Sequence, residues 1–204
     1  AVVGYFESTD MNIGNAIANN RAKDAILMKL NSSGEYEWSA VIGGTQDDYA
    51  YSLCEDDSQN LIVTGGYFST TLNFSGTTNT LTNLGDMDGY VASFSSIVAF
   101  NWAQNLGSTN QTLGVQAVDV AVVNGNYAVA VNYWGTLFVD SEKTASIANA
   151  GNQDSALVFY SSNGTYQKNI RVSGAGNDDI RGITLDSDGN MVVYGNRTNS
   201  TTTL

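Results

Sequence analysis

The stretch Asp88-Gly-Tyr-Val-Ala-Ser-Phe94 decides the fold, because versions of it occur at two other places in the chain. Its counterparts are Asp24-Ala-Ile-Leu-Met-Lys-Leu30, which lies 64 residues earlier, and Asp154-Ser-Ala-Leu-Val-Phe-Tyr160, which lies 66 residues later. Each version opens with aspartate and continues with mostly apolar residues. Self-similarity at a nearly fixed period of this length is typical of tandem-repeat architectures.

Several further anchors agree on a period of about 64 residues. Trp38 recurs as Trp102, and the glycine pair before Asp47-Asp48 has a counterpart before Asp178-Asp179. The stretch at 2–6 returns, with variation, at 63–68, 129–134 and 192–195. In this alignment Tyr5, Tyr67 and Tyr133 occupy one recurring position. The sequence therefore predicts about three tandem repeats.

Each repeat is expected to contain four short strands separated by turns. In the second repeat these strands are predicted near 49–55, 61–68, 89–95 and 98–105. The turn at 56–60 has counterparts at 186–190 and, in shorter form, at 124–126. The last of these contains Asn-Gly, which accepts the positive φ angles of a tight hairpin.

The predicted strands are apolar on both faces. In the third repeat Ala156, Val158 and Tyr160 alternate with Leu157 and Phe159. A sheet that is covered on one side only would alternate apolar with polar residues. Strands of this kind are typical of small sheets that pack between two neighbours, such as propeller blades or the rungs of a stacked array. The predicted fold class is all-β, with tandem four-stranded antiparallel blades of the β-propeller type.

The same residues resemble the SBBP-type β-propeller repeat family over nearly the whole chain. The resemblance is carried by Gly-Tyr-Phe-Ser-Thr-Thr-Leu-Asn-Phe-Ser-Gly at 66–76, Leu-Thr at 81–82, Asp-Gly-Tyr-Val-Ala at 88–92 and residues 32–39. The middle copy departs from the pattern, because Ile97-Val98-Ala99 replaces a glycine-bearing turn. The resemblance implies a propeller-type repeat and an extracellular or cell-surface setting.

The repeat register begins and ends within a unit. The sequence predicts a partial blade at 1–48, complete blades at 49–106 and 113–173, and a second partial blade at 178–204. Propellers close with about four to eight blades. Three interpretations stay open: continuation in the same polypeptide, copies that complete a ring, and copies that join head to tail into a filament. The expected assembly edges are Val2, Val3, Tyr5, Phe6, Val192, Val193 and Tyr194.

Composition restricts the function classes. The net charge of −12 disfavours binding to nucleic acid or to anionic lipid, and no apolar run is long enough to cross a bilayer. The chain contains no histidine, which excludes Ser-His-Asp and Cys-His catalytic groups and His-ligated zinc within it. Cys54 lies in an apolar strand-like stretch and is predicted to be a core residue.

No cofactor is expected, and calcium at acidic turns is the alternative. The turn at 186–190 is similar to the start of a calcium loop, but the twelfth position, where an EF-hand needs glutamate, is Arg197. Asp47-Asp48 and Asp178-Asp179 are further acidic pairs. No pair of carboxylates is singled out for glycoside hydrolysis.

The sequence therefore predicts a non-enzymatic structural or adhesive module that self-associates or continues in the same polypeptide. A carbohydrate-binding propeller module is the first alternative, and a glycoside hydrolase is the distant one. The recurring aromatic residues could act as sugar platforms, although packing between blades explains them equally well. Glycans are also expected if the cell glycosylates exported proteins. The sequons begin at Asn31, Asn73, Asn110, Asn163, Asn196 and Asn199.

Overall fold

The fold was analysed on a computed structural model that describes residues 1–9, 11–13, 15–17, 22–198 and 202–203. Throughout these ranges the chain forms antiparallel β-strands and turns, with no helix. The predicted all-β class is confirmed. In chain order the strands are β1 (Val2–Phe6), β2 (Met11–Ile13), β3 (Asn15–Ile17), β4 (Asp24–Leu30), β5 (Tyr36–Gly43), β6 (Asp48–Glu55), β7 (Leu61–Tyr67), β8 (Thr71–Phe74), β9 (Thr80–Thr82), β10 (Asp88–Phe94), β11 (Phe100–Leu106), β12 (Val115–Val123), β13 (Asn126–Trp134), β14 (Leu137–Phe138), β15 (Ser146–Ile147), β16 (Gln153–Tyr160), β17 (Tyr166–Gly174), β18 (Asp178–Leu185), β19 (Met191–Arg197) and β20 (Thr202–Thr203).

Three larger sheets are built from these strands. The first sheet has the order β1-β4-β5-β8-β9, the second β11-β10-β7-β6, and the third β12-β13-β16-β17-β20. Strands β18 and β19 form a separate pair, as do β14 with β15 and β2 with β3. The four strands predicted for the second repeat are present as β6, β7, β10 and β11, with ends shifted by at most two residues. Their prediction is confirmed.

Strands in equivalent places are named by their position in the second sheet, counted in chain order from β6 as the first to β11 as the fourth. First-position strands are β6, β12 and β18, and second-position strands are β1, β7, β13 and β19. Third-position strands are β4, β10 and β16, and fourth-position strands are β5, β11 and β17. The repeated aspartate is the first residue of β4 and β10 and the second residue of β16.

The central strands are buried on both faces, as the sequence predicted. Strands β7 and β10 are buried at every residue. In β16, Ala156, Val158 and Tyr160 pack towards the second sheet, whereas Leu157 and Phe159 pack towards β18. Burying an aliphatic or aromatic side chain contributes about 1.5–3 kcal/mol. The main apolar clusters therefore lie between consecutive sheets, and each sheet depends on the next for its core.

Hairpins inserted between second- and third-position strands connect neighbouring sheets. Hairpin β8–β9 follows β7 in the chain but pairs with β5 of the first sheet, where Ile42 lies opposite Phe74. Further along, β14 bridges to the residue after β11 through Gly107 and Phe138, and β20 pairs with the end of β17. Each of these three insertions attaches at the fourth-position strand of the preceding sheet.

The recurring tryptophans make a second type of contact between sheets. The indole N–H of Trp38 donates to the Ser96 carbonyl at 3.1 Å, and that of Trp102 donates to the Ser162 carbonyl at 3.0 Å. Both acceptors lie in the turn between the third- and fourth-position strands of the following sheet. The ring of Trp102 covers Gly164 so closely that a Cβ there would lie 2.4 Å from it.

The equivalent turn residue differs in the second sheet. Gly34 and Gly164 have φ angles of 80° and 81°, and Val98 occupies the same place with a φ of 65°. A β-branched residue in the left-handed region is strained by about 1–2 kcal/mol. Valine in place of glycine at position 98 therefore keeps the same turn conformation as in the other two sheets, but strains it.

We expect Val98→Gly to raise the free energy of unfolding by about 0.5–1 kcal/mol, because relief of the positive-φ strain exceeds the lost packing of a half-buried valine. The measurement is urea denaturation followed by circular dichroism. The matched control is Val122→Gly, which removes a half-buried valine from the interior of β12 and should destabilise the protein. Equal destabilisation by the two variants would show that Val98 is not strained.

Candidate functional site

The second-position strands differ in how many neighbours they have. Strand β7 pairs with β6 and β10, and β13 pairs with β12 and β16. Within the residues that the structure describes, β1 pairs with β4 alone and β19 pairs with β18 alone. One long edge of β1 and one of β19 are therefore open, where the same type of strand elsewhere is paired on both sides.

Exposure follows the pairing. The interior copies β7 and β13 are almost completely buried, whereas the predicted edge residues of β1 and β19 are largely accessible. The exposed ones are Val2 at 47%, Tyr5 at 55%, Val192 at 47% and Tyr194 at 61%. The remaining three are covered to different extents: Val3 and Val193 are half-buried, and Phe6 is buried against Ile26. Exposed apolar side chains beside unpaired backbone groups form a template for strand pairing.

The register of β1 corrects the sequence alignment of the aromatic residues. Phe6 lies opposite Asp24, just as Tyr67 lies opposite Asp88 and Tyr133 opposite Asp154. The prediction that Tyr5 is the counterpart of Tyr67 and Tyr133 is therefore wrong by one position. Side chains alternate between the two faces of a strand, so this shift places Tyr5 on the other face.

The recurring aromatic residues pack between sheets. Tyr67 and Tyr133 are completely buried, in two different inter-sheet clusters. Neither ring can therefore serve as a sugar platform, and the packing interpretation is confirmed for these two residues. Tyr5 alone of the three tyrosines is exposed.

An apolar groove lies beside β19. It has a volume of about 520 Å³, and its walls come from β16 and β17 on one side and from β18 and β19 on the other. Ile170, Val172, Met191 and Val193 line it. The sequence did not single out Ile170 and Val172, although alternating apolar residues on a fourth-position strand were a usable signal.

Charged and aromatic groups surround the open edge of β1. The Tyr5 ring meets the Tyr49 ring edge-on, with centroids 5.1 Å apart. The Nζ atom of Lys23 lies 5.6 Å from both ring centroids. It also lies 3.4 Å from Glu7 Oε1 and 3.4 Å from Asp47 Oδ2. Hydrogen bonds to Tyr49 and Asp47 raise the pKa of Lys23, which stays a cation.

The repeated aspartates hold loops together. The Asp88 carboxylate accepts from the Leu84 N–H at 2.8 Å, from the Ser108 N–H at 3.2 Å and from Asn105 Nδ2 at 2.9 Å. Asp154 accepts equivalently from the Ala150 N–H. A Cβ at Gly107 would lie 2.4 Å from Asp88 Oδ2, so glycine is required where the fourth-position strand ends. The aspartate thus ties the inserted hairpin to that strand.

Asp48 makes a related arrangement at the start of a first-position strand. Its carboxylate accepts from the Gly44 N–H and the Ser69 hydroxyl, both at 2.7 Å. Burial raises the pKa of Asp48 to about 6, and burial likewise raises the pKa of Asp88 to about 6. Their usual value is 3.8.

The acidic turn at 186–190 is held by its own side chains. Asp186 Oδ1 accepts from the N–H groups of Asp188 and Asn190 at 2.9 and 2.8 Å, and Oδ2 accepts from Asn190 Nδ2 at 3.0 Å. The Asn190 side-chain bond contributes most to lowering the Asp186 pKa. Within the described ranges no cluster of three or more Asp, Glu, Cys or His side chains could hold a metal ion.

The sequons lie in different environments. Asn73, Asn163 and Asn196 are exposed, and Asn199 lies outside the described residues. Asn31 is half-buried, and its Oδ1 accepts from the N–H groups of Ser33 and Glu35. Asn110 is also half-buried and holds its own loop by accepting from the Leu113 N–H.

Two further features concern the thiol and the membrane. Cys54 is half-buried beside the cluster between the second and third sheets, and burial raises the pKa of its thiol to about 12. The thiol therefore stays protonated and acts as a packing group.

No helix in the described part of the chain is long and apolar enough to span a bilayer.

No protein-family model matches the chain, and no curated protein matches it significantly.

We expect the protein to become more stable to urea as the pH falls from about 7.5 to 5. The folded-state pKa values of Asp48 and Asp88 lie above the unfolded value, so the stabilisation is complete below pH 4 and is lost as the pH rises through about 6. The contribution is about 1–3 kcal/mol for each carboxyl.

Asp48→Asn and Asp88→Asn should each flatten this pH dependence, because an amide does not ionise. The matched control is Asp86→Asn, which changes an exposed carboxylate in the same loop as Asp88 and should leave the slope unchanged. Urea midpoints across this pH range measure the effect. A wild-type stability that falls between pH 7.5 and 5 would contradict the assignment.

Proposed function

We propose that the chain is a non-enzymatic extracellular or cell-surface structural module. Its blade-like units of the SBBP β-propeller repeat type would pair their open second-position strands with strands of a neighbouring repeat unit. The neighbouring unit belongs to another copy of the chain or to the same polypeptide. The single observation that carries this proposal is a difference in pairing and exposure. Strands β7 and β13 are paired on both edges and buried, whereas their counterparts β1 and β19 pair with one described strand each and are partly exposed.

That contrast supports strand pairing for a physical reason. The four second-position strands share one sequence type, and two of them are fully paired and buried. In β1 and β19 the same sequence type leaves apolar side chains exposed along an edge with which no described strand pairs. Added strands gain main-chain hydrogen bonds from such an edge, and the adjacent pockets give specificity.

The groove beside β19 supports the same mode of interaction. In the second sheet, the second-position strand β7 pairs on its third-position side with β10, whose residues are all buried. Beside β19 the corresponding space is lined by apolar side chains from two sheets. A strand with the apolar pattern of β10 would cover that surface.

A structural role also fits the chemistry of the described side chains. The acidic residues that recur between repeats bind loop N–H groups or Lys23, so their side chains hold loops in place. The chain has no histidine to act as a general base near neutral pH. The proposed role therefore involves no covalent chemistry.

We expect the purified chain to self-associate through the open edges of β1 and β19. Val192→Lys with Tyr194→Lys at β19, or Val2→Lys with Tyr5→Lys at β1, should shift the population to monomer, because lysine on an edge opposes strand pairing. Sedimentation velocity gives the size distribution, and electron microscopy gives the shape of the larger species.

The matched control is Ile97→Lys, which places lysine on an exposed isoleucine in the turn between β10 and β11. This variant should assemble like the wild-type chain. A wild-type protein that sediments only as a 21.7 kDa monomer at every concentration would refute pairing between copies, and would leave only a neighbouring unit of the same polypeptide. Assembly that persists unchanged in both edge variants would also refute it.

A further inference from the structure

The three first-position strands carry a β-bulge at one equivalent place. The register shifts occur between Ala50 and Ser52 in β6, between Ala117 and Asp119 in β12, and between Ile180 and Gly182 in β18. The extra residues are Tyr51, Val118 and Arg181. A bulge turns its extra side chain away from the regular alternation and is frequent beside binding sites.

All three bulge residues line the same cleft. This cleft has a volume of about 500 Å³, within the range of about 300–1,000 Å³ that small-molecule sites occupy. Its other walls are formed by residues of β12, β13, β16 and β18, so three consecutive repeats contribute to it. It is distinct from the groove beside β19, because the two share only Asp179 among their lining residues.

The cleft has uncommitted polar groups. Gln116 and Gln153 are half-buried, and neither side-chain amide hydrogen-bonds another described residue. The same holds for the indole N–H of Trp134 within the described ranges. Each amide can both donate and accept, and the indole N–H can donate. These groups are therefore available to a ligand rich in hydroxyl groups.

One wall of the cleft is rigid. Asn132 donates from Nδ2 to the Ile180 carbonyl at 3.0 Å, and its Oδ1 accepts from the Ile180 N–H at 3.0 Å and from the Ser155 hydroxyl at 2.6 Å. Asn132 is itself buried. This network fixes β18 against the third sheet and so fixes the position from which Arg181 projects.

Aromatic surfaces complete the cleft. Tyr51 is 40% exposed and stacks on Tyr49, with ring centroids 6.0 Å apart and an interplanar angle of 14°. Trp134 is half-buried on another wall. Aromatic rings with a polar atom at one end suit ligands that have both apolar and polar faces.

The charges favour a neutral ligand. Arg181 Nε lies 2.5 Å from Asp179 Oδ2, so the cation in the cleft is already paired. The net charge of −12 repels anions. A pyranose ring has an apolar C–H face and a rim of hydroxyl groups that donate and accept, which matches aromatic rings combined with carboxamides.

We propose that this cleft binds a neutral saccharide, with a sugar ring against Trp134 and its hydroxyl groups hydrogen-bonded to Gln116 and Gln153. The site does not depend on strand pairing, because no residue of β1 or β19 lines the cleft. It assigns a ligand class and named residues to a surface that the structural role leaves unused.

The test is a glycan array that carries neutral, sialylated and sulfated oligosaccharides, probed with the full chain. The best neutral binder is then titrated by calorimetry. Trp134→Ala and the double variant Gln116→Ala/Gln153→Ala should each weaken binding at least tenfold. The double variant changes only half-buried polar groups, so it keeps the test valid if Trp134→Ala does not fold.

The control variant is Trp38→Phe. Trp38 lies in β5 of the first sheet, donates to the Ser96 carbonyl and does not line the cleft, so this variant should bind as the wild type does. The single edge variants Val2→Lys and Val192→Lys, which change exposed residues outside the cleft, should also bind normally. No binding to any neutral glycan, a preference for anionic glycans, or wild-type affinity in the double variant would each overturn the proposal.

Discussion

A sheet that carries apolar side chains on both faces must be covered on both faces, and this requirement governs the whole molecule. In the second sheet, Leu61 and Val63 pack against the first sheet while Ile62 packs against the third. Each repeat therefore has no complete core of its own, and its stability comes from contacts with the units on either side. Within the described residues β1 and β19 each pair with one strand only and keep exposed apolar side chains, so they retain the same need for cover.

Polar contacts set the geometry within which this packing occurs. The buried aspartates tie the inserted hairpins to the ends of fourth-position strands, and the tryptophan indoles reach the turns of the following sheet. Buried carboxylates without these hydrogen bonds would cost several kcal/mol each. The repeated aspartate therefore specifies where one unit meets the next, whereas the apolar residues supply the driving force.

Much of the fold could be predicted because it depends on local patterns that recur. The period, the all-β class and the strands of the second repeat all follow from apolar stretches between turn residues. The Asn124-Gly125 turn has positive φ angles at both residues, as the dipeptide indicates. The burial of both faces of β16 also follows directly from its sequence.

Other features could not be predicted because they depend on pairing between distant segments. The attachment of β8 to β5 has no local signature, since a short hairpin reads the same whichever sheet it joins. The one-residue shift between Tyr5 and Phe6 needs the observed register. Bulges insert a residue without changing composition, so Tyr51 and Arg181 gave no signal as members of one cleft.

Hydrogen exchange of the second-position strands tests the central claim most directly. The amides of β7, β13, β1 and β19 are compared in one dilute, monomeric sample. We expect the amides of β7 and β13 to exchange only through global unfolding. The amides of β1 and β19 that face away from β4 and β18 should exchange orders of magnitude faster, because no described strand pairs with that edge. Equal protection of β19 and β13 in the monomer would show that the edge strands need no partner, and would contradict the account.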